Sequence, residues 1–362
     1  MKRHLRLLNL AAVLLVLSAP VMTQAANGDD DVRKQRLINK NYTITADDKL
    51  EIDNQFGNVV VSTWDKNEIT VDIEISARAA TEEKAQEIMN KIDVKDGREG
   101  HTIWFKTKVG EIRNGKNKER DEEWNHKGER GFYIDYVIHM PAANRLDISN
   151  SFGKTEVPAF KGLVTLTSKF GSLEAGKLEN VDQIDVEFGK AEITSVSNGK
   201  IIFKFNERSH IGKVDGTVKI NSEFSQNVQF VVADNINELS VVESYSGVRL
   251  VVNKDLSAQF DVHTSFGKFH NESDFNINEA KEDKDDWGPH FDKDYSGKSG
   301  DGRAKIRIKS SFGSVRLSYA AASDNKNEDE GDDDDDKEKE KNKEKNKHKD
   351  KDKERDTEAE GV

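Results

Sequence analysis

One short phrase recurs along this chain: an aromatic residue, a glycine, then alternating apolar positions. It stands at Phe56-Gly57, Phe152-Gly153, Phe170-Gly171, Phe188-Gly189, Phe266-Gly267 and Phe312-Gly313. A weaker form, with serine for glycine, stands at Phe224-Ser225 and Tyr245-Ser246. Phe152, Phe170 and Phe188 follow one another at 18 residues, and Phe224, Tyr245 and Phe266 at 21. A fixed period of about 20 residues means one supersecondary unit copied and stacked. The repeat constrains the architecture closely and the chemistry hardly at all.

Each period carries two short stretches with apolar and polar residues in alternation, such as Leu146-Asp147-Ile148, Val164-Thr165-Leu166, Leu173-Glu174-Ala175 and Ile184-Asp185-Val186. That is the signature of half-buried strands. Two strands per period with a bend at Phe-Gly predict a flattened parallel coil, with equivalent residues about 4.8 Å apart. The landmark aromatics then form partial ladders, inside or at a corner, with Phe152, Phe170 and Phe188 as inward neighbours. An inward Phe170 would cost about 3–5 kcal/mol on truncation to Ala. The glycines let the chain turn without a Cβ clash.

The fold class expected is therefore mainly β: a parallel β-solenoid-like array of 18–21 residues per turn over 142–322, preceded by a β-rich cap region over 45–141. In the cap, Ile69, Val71, Ile73 and Ile75 alternate strictly. Thr81-Glu82-Glu83 opens a short helix near 82–91, with a capping hydroxyl and acids at the positive end of the dipole. Its apolar face is Ala85, Ile88, Met89 and Ile92. Residues 103–105 and 132–138 read as a hairpin around a long charged loop, 110–131, that holds Trp124 and His126. Residues 274–303 read as a loop inserted between turns.

Both ends of the chain read differently. Lys2, Arg3, His4 and Arg6, an apolar stretch to Met22 and the small residues of Thr23–Ala26 predict a signal peptide over 1–26. A flexible leader over 27–44 follows. No later apolar run is long enough to span a bilayer. Residues 323–362 are low-complexity and predicted disordered, with 18 acidic and 11 basic side chains from 324 onward. The chain has no cysteine, so neither disulfides nor a thiol nucleophile enter the account. A net charge of −12 with no basic face argues against nucleic acid.

The runs Lys49-Leu50-Glu51-Ile52-Asp53-Asn54-Gln55-Phe56-Gly57 and Arg145-Leu146-Asp147-Ile148-Ser149-Asn150-Ser151-Phe152-Gly153 resemble the “putative adhesin” repeat proteins of bacterial envelopes, common in Bacteroidetes. The resemblance covers about 45–320. It implies an exported, β-solenoid-like, non-enzymatic protein and supplies no catalytic pattern.

No chemical motif competes with that. Asp292–Gly297 opens like a calcium loop, but Arg303 stands where a bidentate glutamate belongs. Asp332–Asp336 lacks fixed geometry. His263 and His270 are seven apart and His126 and His290 isolated, so no metal or other cofactor is expected. Trp124, Trp287, Phe291 and Tyr295 sit in polar stretches where they stack on a partner or fold back on the array. The function expected is a non-catalytic, adhesin-like envelope or cell-surface protein whose partner is an envelope protein or a glycan. The alternatives are a periplasmic accessory or sensory protein and, less favoured, a polysaccharide-acting enzyme.

Overall fold

The computed structural model describes residues 31–111, 131–280 and 291–320. The segment expected as a signal peptide, nearly all of the charged loop with Trp124 and His126, Trp287, His290 and the segment 323–362 lie outside the described residues.

The chain opens with β1 (Val32–Thr43), β2 (Lys49–Gln55), β3 (Val59–Thr63), β4 (Glu68–Ala79), α1 (Glu82–Asn90), β5 (Ile92–Glu99), β6 (Thr102–Val109) and β7 (Gly131–Met140). The repeats follow as β8 (Arg145–Ser151), β9 (Lys154–Val157), β10 (Phe160–Lys169), β11 (Ser172–Glu187), β12 (Lys190–Lys204), β13 (Arg208–Glu223), β14 (Val228–Ser244), β15 (Gly247–Val252), β16 (Ala258–Ser265) and β17 (Lys268–Asn271). The last stretch is β18 (Asn276–Glu279), β19 (Asp292–Ser299), β20 (Ala304–Ser311) and β21 (Ser314–Tyr319).

The middle of the molecule is the expected parallel coil. Leu166 pairs with Ile148 on one side and Ile184 on the other, and Ile201 pairs with Ile184 and Ile220. Each turn contributes one segment before the aromatic bend and one after it, so two layers face each other. Leu146, Val164, Ile184, Ile201 and Val218 enter the core from the first layer, and Leu173, Ile193, Ile211 and Phe230 from the second. All are essentially dry, so burial of apolar area at about 25 cal/mol per Å² holds the layers together. In the absence of cysteine, the backbone ladders and this core carry the fold.

Both ends of the array are built out of chain order. β2 pairs in parallel with β8 on one side and β6 on the other, and β3 lies parallel to β7 and β9. β6 and β7 are thus not a hairpin, as the sequence suggested, but one more turn outside β2–β3. Beyond it, β5 pairs antiparallel with β6, and β4 and β1 extend the layer of β7. α1 closes this end of the core with Ala85, Ile88 and Met89 buried. Thr81 caps it, its hydroxyl accepting from the Lys84 N–H at 3.3 Å. The leader expected over 27–44 is in fact strand β1 from Val32, held by twelve paired positions along β4.

At the other end, β20 pairs in parallel with both β14 and β16, and β21 with β15 and β17. The last turn of the chain therefore lies between two earlier ones. The segment expected as a loop, 274–303, contributes β18 and β19, which cap β16 in antiparallel fashion. Asp292–Ser299 is extended strand, a geometry that no calcium loop adopts. No helix among the described residues is long and apolar enough to cross a membrane.

Candidate functional site

At the bend of every turn the aromatic residue, not the glycine, adopts the left-handed backbone. Phe56, Phe152, Phe170, Phe188, Phe205, Phe224, Tyr245, Phe266 and Phe312 have φ between 48° and 63°. For a bulky side chain this conformation costs about 1–2 kcal/mol. The neighbouring turn holds each bend in place. Phe152 N–H donates to Lys169 O at 2.9 Å, Phe170 N–H to Glu187 O at 2.9 Å and Phe188 N–H to Lys204 O at 2.9 Å, and the series continues to Phe312 N–H on Ser265 O at 3.0 Å.

The nine rings form one stack. Successive centroids lie 4.7–5.2 Å apart with planes within 2–7°. Phe312 stands between Tyr245 and Phe266, in keeping with the out-of-order last turn. Phe132 closes one end edge-on against Phe56 at 5.1 Å, and Phe291 covers Phe266 at the other at 4.4 Å. Phe291 therefore folds back on the array, as Tyr295 does against Phe269 at 5.3 Å. Phe152, Phe170 and Phe188 are neighbours as expected, but they point outward: each is nearly half exposed, at 47–49%. The reason is the backbone. A left-handed residue at the bend throws its side chain off the corner rather than between the layers.

This geometry changes the expected cost of truncation. Phe170→Ala loses two stacking contacts and half a buried ring, about 1–2 kcal/mol rather than 3–5. Phe170→Gly is expected to be no worse than Ala, because glycine removes the left-handed strain. Paired thermal melts check this, and a glycine variant clearly less stable than the alanine variant would contradict it.

The glycine after each ring serves close approach. A Cβ on Gly153 would lie 1.8 Å from Gly57 O, one on Gly171 2.0 Å from Gly153 O, and one on Gly189 2.1 Å from Gly171 O. A Cβ on Gly57 would meet Ile134 O at 2.1 Å, and one on Gly267 the Ser310 hydroxyl at 2.6 Å. Where the motif lacks glycine, side chains take over. Asn206 Oδ1 accepts from Gly189 N–H (3.1 Å), Ser225 Oγ from Asn206 N–H (3.1 Å), Ser246 Oγ from Ser225 N–H (3.0 Å), and Glu243 Oε1 from Ser246 N–H (2.8 Å). The sequence reading missed the turn that holds Phe205-Asn206. The gap of 36 residues between Phe188 and Phe224, twice the period, was the signal.

Glu243, which ends this relay, is 1% exposed and packs against Gly313. Among the described residues its Oε2 has no hydrogen-bond partner, and neither have the hydroxyls of Ser222 and Ser310 at the same level of the adjacent turns. Burial pushes its carboxyl above the usual range, against the smaller lowering effect of the Ser246 N–H. A raised folded pKa means stability that is complete below the unfolded value and lost as pH rises through the folded one. Glu243→Gln keeps the Ser246 contact and supplies a donor for a serine hydroxyl. It is expected to stabilise by on the order of 1–3 kcal/mol at neutral pH and by little in acid. Denaturant melts of both proteins across pH measure the difference, and a less stable variant at neutral pH would overturn the assignment.

The rings border the outer face of the first layer. A groove of about 260 Å³ beside the ladder is lined by Asn221, Glu223, Phe224, Val242, Ser244 and Tyr245, among others. Along that face runs a column of charges next to the rings, with Lys169 bonded to Glu187 at 3.0 Å and Lys204 to Glu223 at 3.9 Å. His263 meets Asp294 at 2.8 Å, and His270 stands on the second layer. Among the described residues no group of three or more His, Asp or Glu is placed to hold a metal ion.

No protein-family model and no curated protein matches this chain. Several solved structures are similar to it over most of its length. The structure of a putative cell adhesion protein from Clostridium sporogenes ATCC 15579 has 12% identity and a TM-score of 0.28, covering 79% of this chain and 100% of that one. That of a putative adhesin from Bacteroides fragilis NCTC 9343 has 10% identity and a TM-score of 0.33, covering 78% and 97%. That of a putative lipid binding protein from Parabacteroides distasonis ATCC 8503 has 10% identity and a TM-score of 0.30, covering 78% and 96%.

Proposed function

We propose that this chain is a non-catalytic, exported binding protein of the bacterial envelope or cell surface, adhesin-like in mode of action. Its contact surface is the aromatic ladder and the first-layer face that the ladder borders. The observation that carries the reading is the half-exposed stack. Nine aromatics sit on a backbone that costs each of them free energy, and most leave about half of the side chain in water. A fold that needed only a bend would place glycine or asparagine there. Continuous apolar surface of this length is characteristic of a contact site. Affinity on such a surface comes from many weak contacts acting together.

The stack also bears on the partner. Each ring covers its neighbours' faces, so only ring edges are open. A sugar that needs an aromatic face finds none along the ladder, and a protein surface fits the row of edges better. Two measurements test the reading. Protease shaving of intact cells separates a surface protein from a periplasmic accessory one. Cross-linking in intact envelopes through a photoreactive residue in place of Val242, beside the rings, is expected to capture protein. Capture of glycan alone, or reducing-sugar release from glycans by the purified chain, would contradict the proposal.

A further inference from the structure

The first-layer face carries a charge pattern that is complementary to itself. Its outward residues form columns that run through the eight consecutive strands β2, β8, β10, β11, β12, β13, β14 and β20, and β6 and β16 continue the face at either end with Lys106 in line with Asp53 and Asp261 in line with Arg307. In the first four turns, the second and third columns from the ladder carry Glu51, Asp53, Asp147 and Asp185 and no base, while the fourth carries Lys49 and Arg145. In the last four, the second and third columns carry Lys200, Lys219, Arg307 and Lys309 and no acid, while the fourth carries Glu238, ion-paired to Arg307, and Lys305. The column beside the rings reads Lys169, Glu187, Lys204, Glu223 across the middle four turns.

We infer that this face binds a second copy of the same chain, through a two-fold axis parallel to the strands and midway between the turns of Phe188 and Phe205. The inference rests on the contact surface proposed above and names its partner. The rotation reverses the order of turns and leaves the columns in place. Lys169 then faces Glu223 of the second copy, Glu187 faces Lys204, Glu51 faces Arg307 and Asp53 faces Lys309. The two ladders run side by side, with the ring of Phe188 level with that of Phe205.

The pattern discriminates. A two-fold axis along the coil would set the acidic half of one copy on the acidic half of the other. The reversed arrangement also answers acids that form no ion pair among the described residues. Asp53 meets Lys106 at 2.8 Å and Glu51 meets Lys49 at 3.1 Å, whereas no ion pair to Asp147 or Asp185 is seen among the described residues. In the dimer, Asp147 falls between Lys219 and Arg307 of the second copy, and Asp185 between Lys200 and Lys204. Their carboxyls are pushed up in the single chain, first by burial and then by Glu51 and Glu187, against smaller lowering by Lys49 and Arg145 at Asp147 and by Lys169, Lys204 and Lys200 at Asp185. Size agrees as well. Eight turns about 4.8 Å apart and strands of about seven residues make a face on the order of 800–900 Å² per copy, the size of a standard stable interface. Ring planes within 2–7° from turn to turn keep that face nearly flat.

Sedimentation equilibrium of the full chain, at low and at high salt, is the test. The wild type is expected to dimerise, more weakly as salt rises. Lys169→Glu and Glu223→Lys each place two like-charge pairs in the homodimer and are expected to weaken self-association at least tenfold. An equimolar mixture of the two restores attraction at both positions, and its heterodimer is expected within about threefold of wild-type affinity, where tenfold corresponds to about 1.4 kcal/mol. The mixture also guards against misfolding, because a misfolded variant would not be rescued. A monomeric wild type in low salt, or a mixture that associates no better than either variant, would overturn the inference. A monomer that still cross-links to another envelope protein beside the ladder would leave the proposed function standing and remove only this partner.

Discussion

A chain that stops at Gly302 is expected to lose the C-terminal half of its array, not merely its last turn. β20 and β21 lie between the turn of β14–β15 and that of β16–β17, so their removal opens a gap inside the stack. Ile306, Ile308, Val315 and Leu317 are fully buried there. At about 1.5–3 kcal/mol each, they contribute on the order of 6–12 kcal/mol, comparable with the whole stability of a domain. The outer faces of β14 and β16 would lose their hydrogen-bond partners as well. Hydrogen exchange is expected to show protection lost from about Val228 onward, while a chain ending at Ala320 keeps the wild-type pattern. If the truncated chain kept protection in β16, the interleaved topology would be wrong.

The second large effect is at the glycine column. A valine at position 171 would drive its Cβ to 2.0 Å from the Gly153 carbonyl, and that carbonyl is held by the Ser172 N–H at 3.4 Å. Backbone cannot swing away as a side-chain tip can, so Gly171→Val is expected to cost about 3 kcal/mol or more. Gly247 is the control. Nothing lies within 4 Å of its hypothetical Cβ, and Gly247→Ala should stay within about 0.5 kcal/mol of wild type. Equal melting temperatures for the two variants would show that the turns do not approach as closely as described.

The repeat was legible because it is stated in residues whose spacing matches the turn of the coil. The strands around Leu146, Val164 and Ile184 and the helix after Thr81 were legible for the same reason, since alternation and capping are local signals. What failed was non-local. β1 has an exposed Leu37 and charges on both faces, so its pattern reads as leader, and only the pairing with β4 makes it a strand. The turn of β6 and β7 read as a hairpin because the parallel strands they stack on, β2 and β3, lie about fifty or more residues back. The intervals from Phe56 to Phe152 and from Phe266 to Phe312 broke the period, and nothing local shows that each marks an excursion past the end of the array and back. The outward aim of the rings was hidden by a strong prior. Aromatics in a β repeat are ordinarily core, and left-handed backbone is ordinarily assigned to the glycine beside them.

The ladder is the centre of this account, and one comparison tests it most directly. Phe170, Phe188 and Phe205 are replaced together by asparagine, which accepts left-handed backbone and presents no apolar edge. Thermal melting and binding to isolated envelopes are then measured on the same preparations. The expected result is a protein that still unfolds cooperatively, with a modestly lower melting temperature, and whose envelope binding is lost at least tenfold. A folded variant that binds envelopes as wild type does would mean that the exposed stack serves the fold alone, and the contact surface proposed for this chain would have to lie elsewhere.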